Sequence, residues 1–233
     1  MNYNDFEGIV SSERLARYLK ACNGDKRKAM ILYRYNLHAS EAMYSIISCF
    51  EIALRNAIDR HMTTHFGNDW LRDSILNGGI FNLPILHKTR DIINCAYQRV
   101  QRGTGYTHPK LLAEMEFGIW KYMFSPVQYR QSGNNLLKIF PNKPRSSRQA
   151  QYNRSTIFNE LDRINSLRNR IAHHEPICFV SGTSDFDSTY IETTYQKAIT
   201  LFNWLGIDAK SYLFGLDHVR KACDRIKSLK DNP

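Results

Sequence analysis

The chain has 233 residues, of which 42% are hydrophobic, with only 12 Gly and 7 Pro; this excludes disordered and fibrous classes and leaves ample length for a core without disulfides. Lys and Arg total 32 against 22 Asp and Glu, a formal charge of +10, which favours a polyanionic partner, nucleic acid first, through counterion release; a merely basic soluble protein has the same balance. The five cysteines, Cys22, Cys49, Cys95, Cys178 and Cys223, form no C-x-x-C pair and read as small hydrophobes in a reducing compartment.

The opening "MNYNDFEGIV" has neither the basic n-region nor the apolar run of a signal peptide. A first helix is expected over Ser12 to Cys22. A stronger one covers Met43 to Ile58, where Met43, Ile46, Ile47, Phe50, Ala53, Leu54, Ala57 and Ile58 fall at i, i+3, i+4, i+7 spacing. Its apolar stretch from Ala42 to Phe50 is nine residues between two glutamates, too short to span a bilayer, so a cytoplasmic protein without a membrane partner is expected. The same region holds "RNAIDRH", with Arg55, Asn56 and His61, and then "HMTTH" with His61 and His65 at i, i+4.

Further helices are predicted over Ile85 to Arg99, Pro109 to Phe124, Ile157 to Ile171, Thr193 to Leu205 and Ser211 to Leu229. Breaks fall at "NGG" (77–79), "RGTG" (102–105), "PNKPRSSR" (141–148) and "SGTSDFDS" (181–188). The segment Lys143 to Arg154 carries four basic residues, Lys143, Arg145, Arg148 and Arg154, with no acidic one; it reads as a phosphate-gripping arm or as a solvated basic loop. The best strand signal is "ICFVSG" after Pro176. The fold class is therefore all-α.

The richest chemistry sits in "RNRIAHHEPI", Arg168 to Ile177. At roughly 100° per residue, Ile157, Leu161, Ile164, Leu167 and Ile171 form one apolar stripe with Arg168 on it, while Asn169 and His173 share another face. A charge on an apolar stripe needs a partner or an interface. Arginine forks a phosphate, and histidine moves protons near neutral pH, so the cluster suits RNA cleavage in which the 2′-hydroxyl is the nucleophile. Pro176 biases Glu175 out of the helix, which leaves His173 and His174 at a helix C-terminus, where the dipole favours imidazolium. A plain helix end remains open on spacing alone. A metal site built on His173, His174, Glu175 and Cys178 is disfavoured because the two histidines diverge by about 100°, and "HMTTH" lacks the glutamate of a zincin; no metal or cofactor is expected.

Beyond this cluster, "LRNRIAHHEPI" at Leu167 to Ile177, "LYRYNLHASEAMYSIISCFEIALRNAI" at Leu32 to Ile58 and "LLAEMEFGIWKYMFS" at Leu111 to Ser125 resemble, in order, the Abi-like (AbiD/AbiF type) bacterial abortive-infection proteins. That family is similar to the HEPN superfamily of all-α, often dimeric domains, whose ribonuclease members carry Arg, a polar residue such as Asn, and then His. The resemblance implies a single HEPN-like helical bundle with extra helices over residues 1–233. It also implies metal-independent RNA cleavage in phage defence by Arg168, Asn169 and His173, with RNA as partner and a homodimer that supplies two histidines; whether an antitoxin or regulatory RNA restrains it is left open by the sequence. Arg55, Asn56 and His61 fit the loose pattern as a possible second motif. However, His61 falls on the apolar stripe, with Arg55 about 120° away, so a structural Arg-Asn pair on a packed helix is favoured there. The competing function is a non-catalytic protein that clamps a structured RNA by its phosphates.

Overall fold

The computed structural model describes residues 1–103 and 105–231; Thr104, inside the predicted "RGTG" break, and Asn232 and Pro233 lie outside the described residues. The described chain is all-α. Its helices are α1 (Tyr3–Val10), α2 (Ser12–Ala21), α3 (Lys26–Phe66), α4 (Trp70–Asp73), α5 (His87–Arg102), α6 (His108–Ala113), α7 (Phe117–Tyr122), α8 (Pro126–Gln131), α9 (Arg154–Ala172), α10 (Thr189–Trp204), α11 (Ala209–Tyr212) and α12 (Val219–Asp231), with 3-10 turns at Pro84–Leu86 and Leu136–Ile139. No described helix is long and apolar enough to cross a membrane. The predicted strand at "ICFVSG" is instead a single antiparallel bridge between Phe179 and Phe186, closed by Val180 N–H to Asp185 O and Asp187 N–H to Cys178 O, each 2.9 Å.

The chain divides into two compact units: Met1–Cys49, Ser166–Thr200 and Ala209–Pro233 form the first, and Phe50–Asn165 with Leu201–Asp208 the second. In the first unit, Tyr3, Phe6 and Leu15 are buried with Val10, Met30 and Tyr33 packed against them. Edge-on ring contacts of Phe6 with Tyr33 at 5.4 Å and of Tyr18 with Phe179 at 5.0 Å extend that cluster. Asn2 caps α1 through Asp5 N–H, and Ser11, at φ 85°, ends α1 and begins α2, the short polar side chain substituting for a turn residue.

The second unit is built around Phe50, whose ring meets Phe117 at 6.3 Å and Phe202 at 5.2 Å. Asp59 of α3 accepts hydrogen bonds from Trp70 Nε1 and His108 Nε2, both at 2.8 Å, which pins α4 and the start of α6 to α3. Lys121, only 6% exposed, lays its stem in the core and its ammonium against Asp162 Oδ1 at 2.8 Å. The predicted helix from Pro109 to Phe124 is broken between α6 and α7. The reason is packing: Leu111, Leu112, Met115, Phe117, Ile119, Trp120, Met123 and Phe124 are all buried, more than one helical stripe can turn inward, and the break re-aims the second half. The predicted Ser211 to Leu229 helix is broken likewise at Gly215, whose φ is +78°.

Candidate functional site

Helix α9 begins at an Asn153 cap, whose Oδ1 accepts from Thr156 N–H at 3.1 Å. Ile157, Leu161, Ile164 and Leu167 of its stripe are fully buried, whereas Ile171, in the last turn, is half-buried. The helix closes with His174 N–H on Ile171 O at 3.0 Å and Glu175 N–H on Arg170 O at 2.8 Å, a Schellman-type end. The left-handed position of that end, usually glycine, is occupied by His174 at φ +55°.

The residues beyond are tied down by side chains from α2, α3 and α9. Arg14 Nη1 donates to His174 O at 2.8 Å, and Arg170 Nη2 donates to Pro176 O at 2.7 Å. Asn36, 3% exposed, offers one carboxamide oxygen to both Ile177 N–H at 2.8 Å and Cys178 N–H at 3.2 Å. Arg17 reaches Val180 O and Thr183 O while its guanidinium stands 4.2 Å above the Phe179 ring. Burial pushes the Cys178 thiol up to about 12, so it stays neutral and inert as a ligand or nucleophile at ordinary pH.

On this frame, Arg168 is half-buried and Asn169 and His173 are exposed, so burial falls away from the stripe in the order the helical wheel predicts. Arg168 Nη1 points to Asn169 Oδ1 at 3.4 Å, too long for a strong bond. Among the described residues the His173 imidazole forms no hydrogen bond; only its backbone N–H is engaged, on Asn169 O. Arg168 borders a groove of ≈ 360 Å³ between α9 and α3, lined from α9 and its end by Arg168, Ile171, Ala172, His174 and Glu175, and from α3 by Asn36, Leu37, Ser40, Glu41 and Tyr44. Asn169 and His173 are not on its lining. The structure thus pairs Arg168 with His174 in one groove and sets Asn169 and His173 outside it.

The second predicted motif is differently occupied. Arg55 Nε meets Asn56 Oδ1 at 3.3 Å, but His61 is half-buried, stacked on His65 at 4.3 Å and bonded through Nε2 to Asn135 Oδ1 at 2.8 Å. Asn135 Nδ2 lies 3.1 Å from His65 Nε2. Of the basic arm, Arg145 and Arg148 are exposed and Lys143 is half-buried, while Arg154 is turned to internal use, donating to Phe124 O at 2.6 Å. Among the described residues, no three His, Cys, Asp or Glu side chains converge as metal ligands.

Sequence reasoning missed Asn36, Arg14 and Arg17, whose partners lie 141 to 166 positions away. It also missed the α3 wall of the groove. Leu37, Ser40, Glu41 and Tyr44 do follow i, i+3, i+4, i+7 spacing, the only signal available for it. Comparison of the chain with protein-family models, with curated proteins and with solved structures gives no match.

Proposed function

We propose that the protein is a metal-independent endoribonuclease of bacterial phage defence, an abortive-infection protein of HEPN type that works in the cytoplasm. The observation that carries this reading is the exposed His173 imidazole, without a hydrogen bond to the described chain, one helical turn beyond Asn169 at the same helix end as Arg168, in a protein of charge +10. Arg168 holds the scissile phosphate and stabilises the phosphorane. The RNA 2′-oxygen attacks phosphorus as its proton passes to a base. The bond from phosphorus to the 5′-oxygen breaks as that oxygen takes a proton from an imidazolium, leaving a 2′,3′-cyclic phosphate and a 5′-hydroxyl. One histidine does not serve both ends of an in-line displacement, so two copies, each giving a His173, act together. Asn169 positions the neighbouring groups, and Lys143, Arg145 and Arg148 add phosphate contacts.

Purified protein and end-labelled RNA in EDTA test this directly. Wild type is expected to release cyclic-phosphate ends and to run as a dimer by mass measurement. His173→Ala should lose cleavage by about 10²- to 10⁴-fold with an unchanged far-UV spectrum, and Arg168→Lys should be severely impaired because ammonium does not fork a phosphate. Intact RNA held in stable, salt-sensitive complexes would establish the clamping function in its place.

A further inference from the structure

The groove beside Arg168 has a character that cleavage alone does not require. Its α3 wall carries two large apolar side chains left in water, Leu37 at 47% and Tyr44 at 50% exposure, and Tyr44 makes no ring contact or hydrogen bond with any described residue. Facing them on α9 are half-buried Ile171 and the charged Arg168. A volume of ≈ 360 Å³ is at the small end of ligand sites, which run from roughly 300 to 1,000 Å³.

We propose that this groove is a nucleobase subsite: the base next to the phosphate held by Arg168 stacks on Tyr44, with Leu37 and Ile171 against its edges. Single-stranded RNA is recognised mainly by splayed bases on aromatic faces, and here the aromatic face and the phosphate-binding cation border one depression. The two carboxylates of the groove fit this assignment. Glu175 is paired with Arg170, Oε2 to Nε at 3.5 Å. Glu41 stands on the rim with its side chain 80% exposed and His38 Nδ1 at 3.8 Å; it accepts from base N–H groups and repels phosphate, which directs the anionic end of the nucleotide to Arg168. His174, fixed in place by Arg14 on its carbonyl, lines the same groove. The inference rests on the ribonuclease reading for the identity of the ligand, but its test does not need cleavage.

The test is fluorescence anisotropy with a labelled single-stranded 2′-O-methyl oligoribonucleotide of about a dozen residues, which lacks the nucleophile, run beside the chelator-resistant cleavage assay and a mass measurement. Tyr44→Ala is expected to weaken binding by about 5- to 150-fold, the range for one stacked base, and Tyr44→Phe to bind like wild type. In cleavage, Tyr44→Ala should raise KM by a similar factor and leave kcat within a few-fold. Tyr44 is half-exposed, so both variants should keep the wild-type unfolding midpoint. If wild type cleaves RNA and Tyr44→Ala binds unchanged, the subsite is overturned and the ribonuclease reading stands. If wild type does not cleave yet Tyr44→Ala loses binding and Tyr44→Phe retains it, the subsite stands and the ribonuclease reading falls. Loss of the dimer in Tyr44→Ala with unchanged oligonucleotide affinity would show the groove to be an interface between copies, and would overturn the subsite.

Discussion

His174 is the residue at which local strain and the candidate site coincide. An L-residue in the left-handed region gives up roughly 1 kcal/mol that glycine does not, and here the position is enforced by Arg14 on the His174 carbonyl and by the bond from Glu175 N–H to Arg170 O. His174→Gly is therefore expected to stabilise the protein by about 0.5–1 kcal/mol in urea unfolding; destabilisation would show that the imidazole itself carries weight in the fold. The adjacent His173 has helical surroundings and no such constraint, so its replacement is expected to change activity and leave the unfolding curve alone. The thiols separate by environment in the same way. Cys95 is exposed, whereas Cys22, Cys178 and Cys223 are buried, and burial raises the Cys178 and Cys223 thiols to about 12. One fast-reacting thiol, Cys95, is expected with an aromatic disulfide reagent in native buffer, half-buried Cys49, whose thiol burial raises, reacting more slowly and the three buried ones only after unfolding. Fast labelling of Cys178 would contradict the closure of the segment around it.

Among the elements, α9 was the most legible in sequence: its stripe from Ile157 to Leu167 is the buried face in the structure, because four apolar residues at helical spacing have one way to leave water together. The last member, Ile171, departs from that pattern because the helix end borders the groove, where α3 supplies a wall but not a lid. The long α3 was legible only from Met43 onward. Its first half, Lys26 to Ala42, mixes buried Leu32 and Ala39 with buried Asn36 and exposed Leu37, so no clean stripe exists to be read. Asn36 explains the irregularity. Its carboxamide replaces the hydrogen bonds that the amides of Ile177 and Cys178 lose once α9 has ended, a requirement set by residues more than 140 positions away and hence invisible in a local pattern. Asn36→Ala should cost about 1–3 kcal/mol, the penalty for buried donors left without an acceptor, measured by urea unfolding; a change below about 0.5 kcal/mol would mean that water substitutes freely there.

At the scale of the whole molecule, the fold buries acids that it keeps neutral. Burial first, with the Asp217 contact second, raises the Tyr195 phenol to about 12 from 10.0; burial raises Cys178 and Cys223 to about 12 from 9.0, and Tyr18 upward as well. In the unfolded chain these groups ionise first as pH rises, so the unfolded state binds fewer protons and stability falls with pH. The contribution is complete below pH 9 and drains away as pH climbs toward 12. A urea midpoint that declines across that window is the expected result, and a flat one would place these groups in contact with solvent. The excess of positive charge has a separate consequence: if RNA is the partner, as proposed, the logarithm of its affinity should fall linearly with the logarithm of salt concentration, whether the RNA is cleaved or only clamped.

The order of the chain has a temporal meaning. The groove needs Leu37 and Tyr44 from α3, and Arg168 and His174 from the end of α9, and the latch needs Arg14, Asn36 and the segment from His174 onward. Between them the chain builds most of the second unit, Phe50–Asn165. A nascent polypeptide emerging from the ribosome at about 5–20 residues per second therefore completes nearly three quarters of its synthesis with no groove at all. Premature termination anywhere before α9 yields a fragment that lacks Arg168, Asn169, His173 and His174, even where it keeps the basic residues Lys143, Arg145 and Arg148, so an aborted translation product has neither the proposed catalytic residues nor the α9 side of the groove.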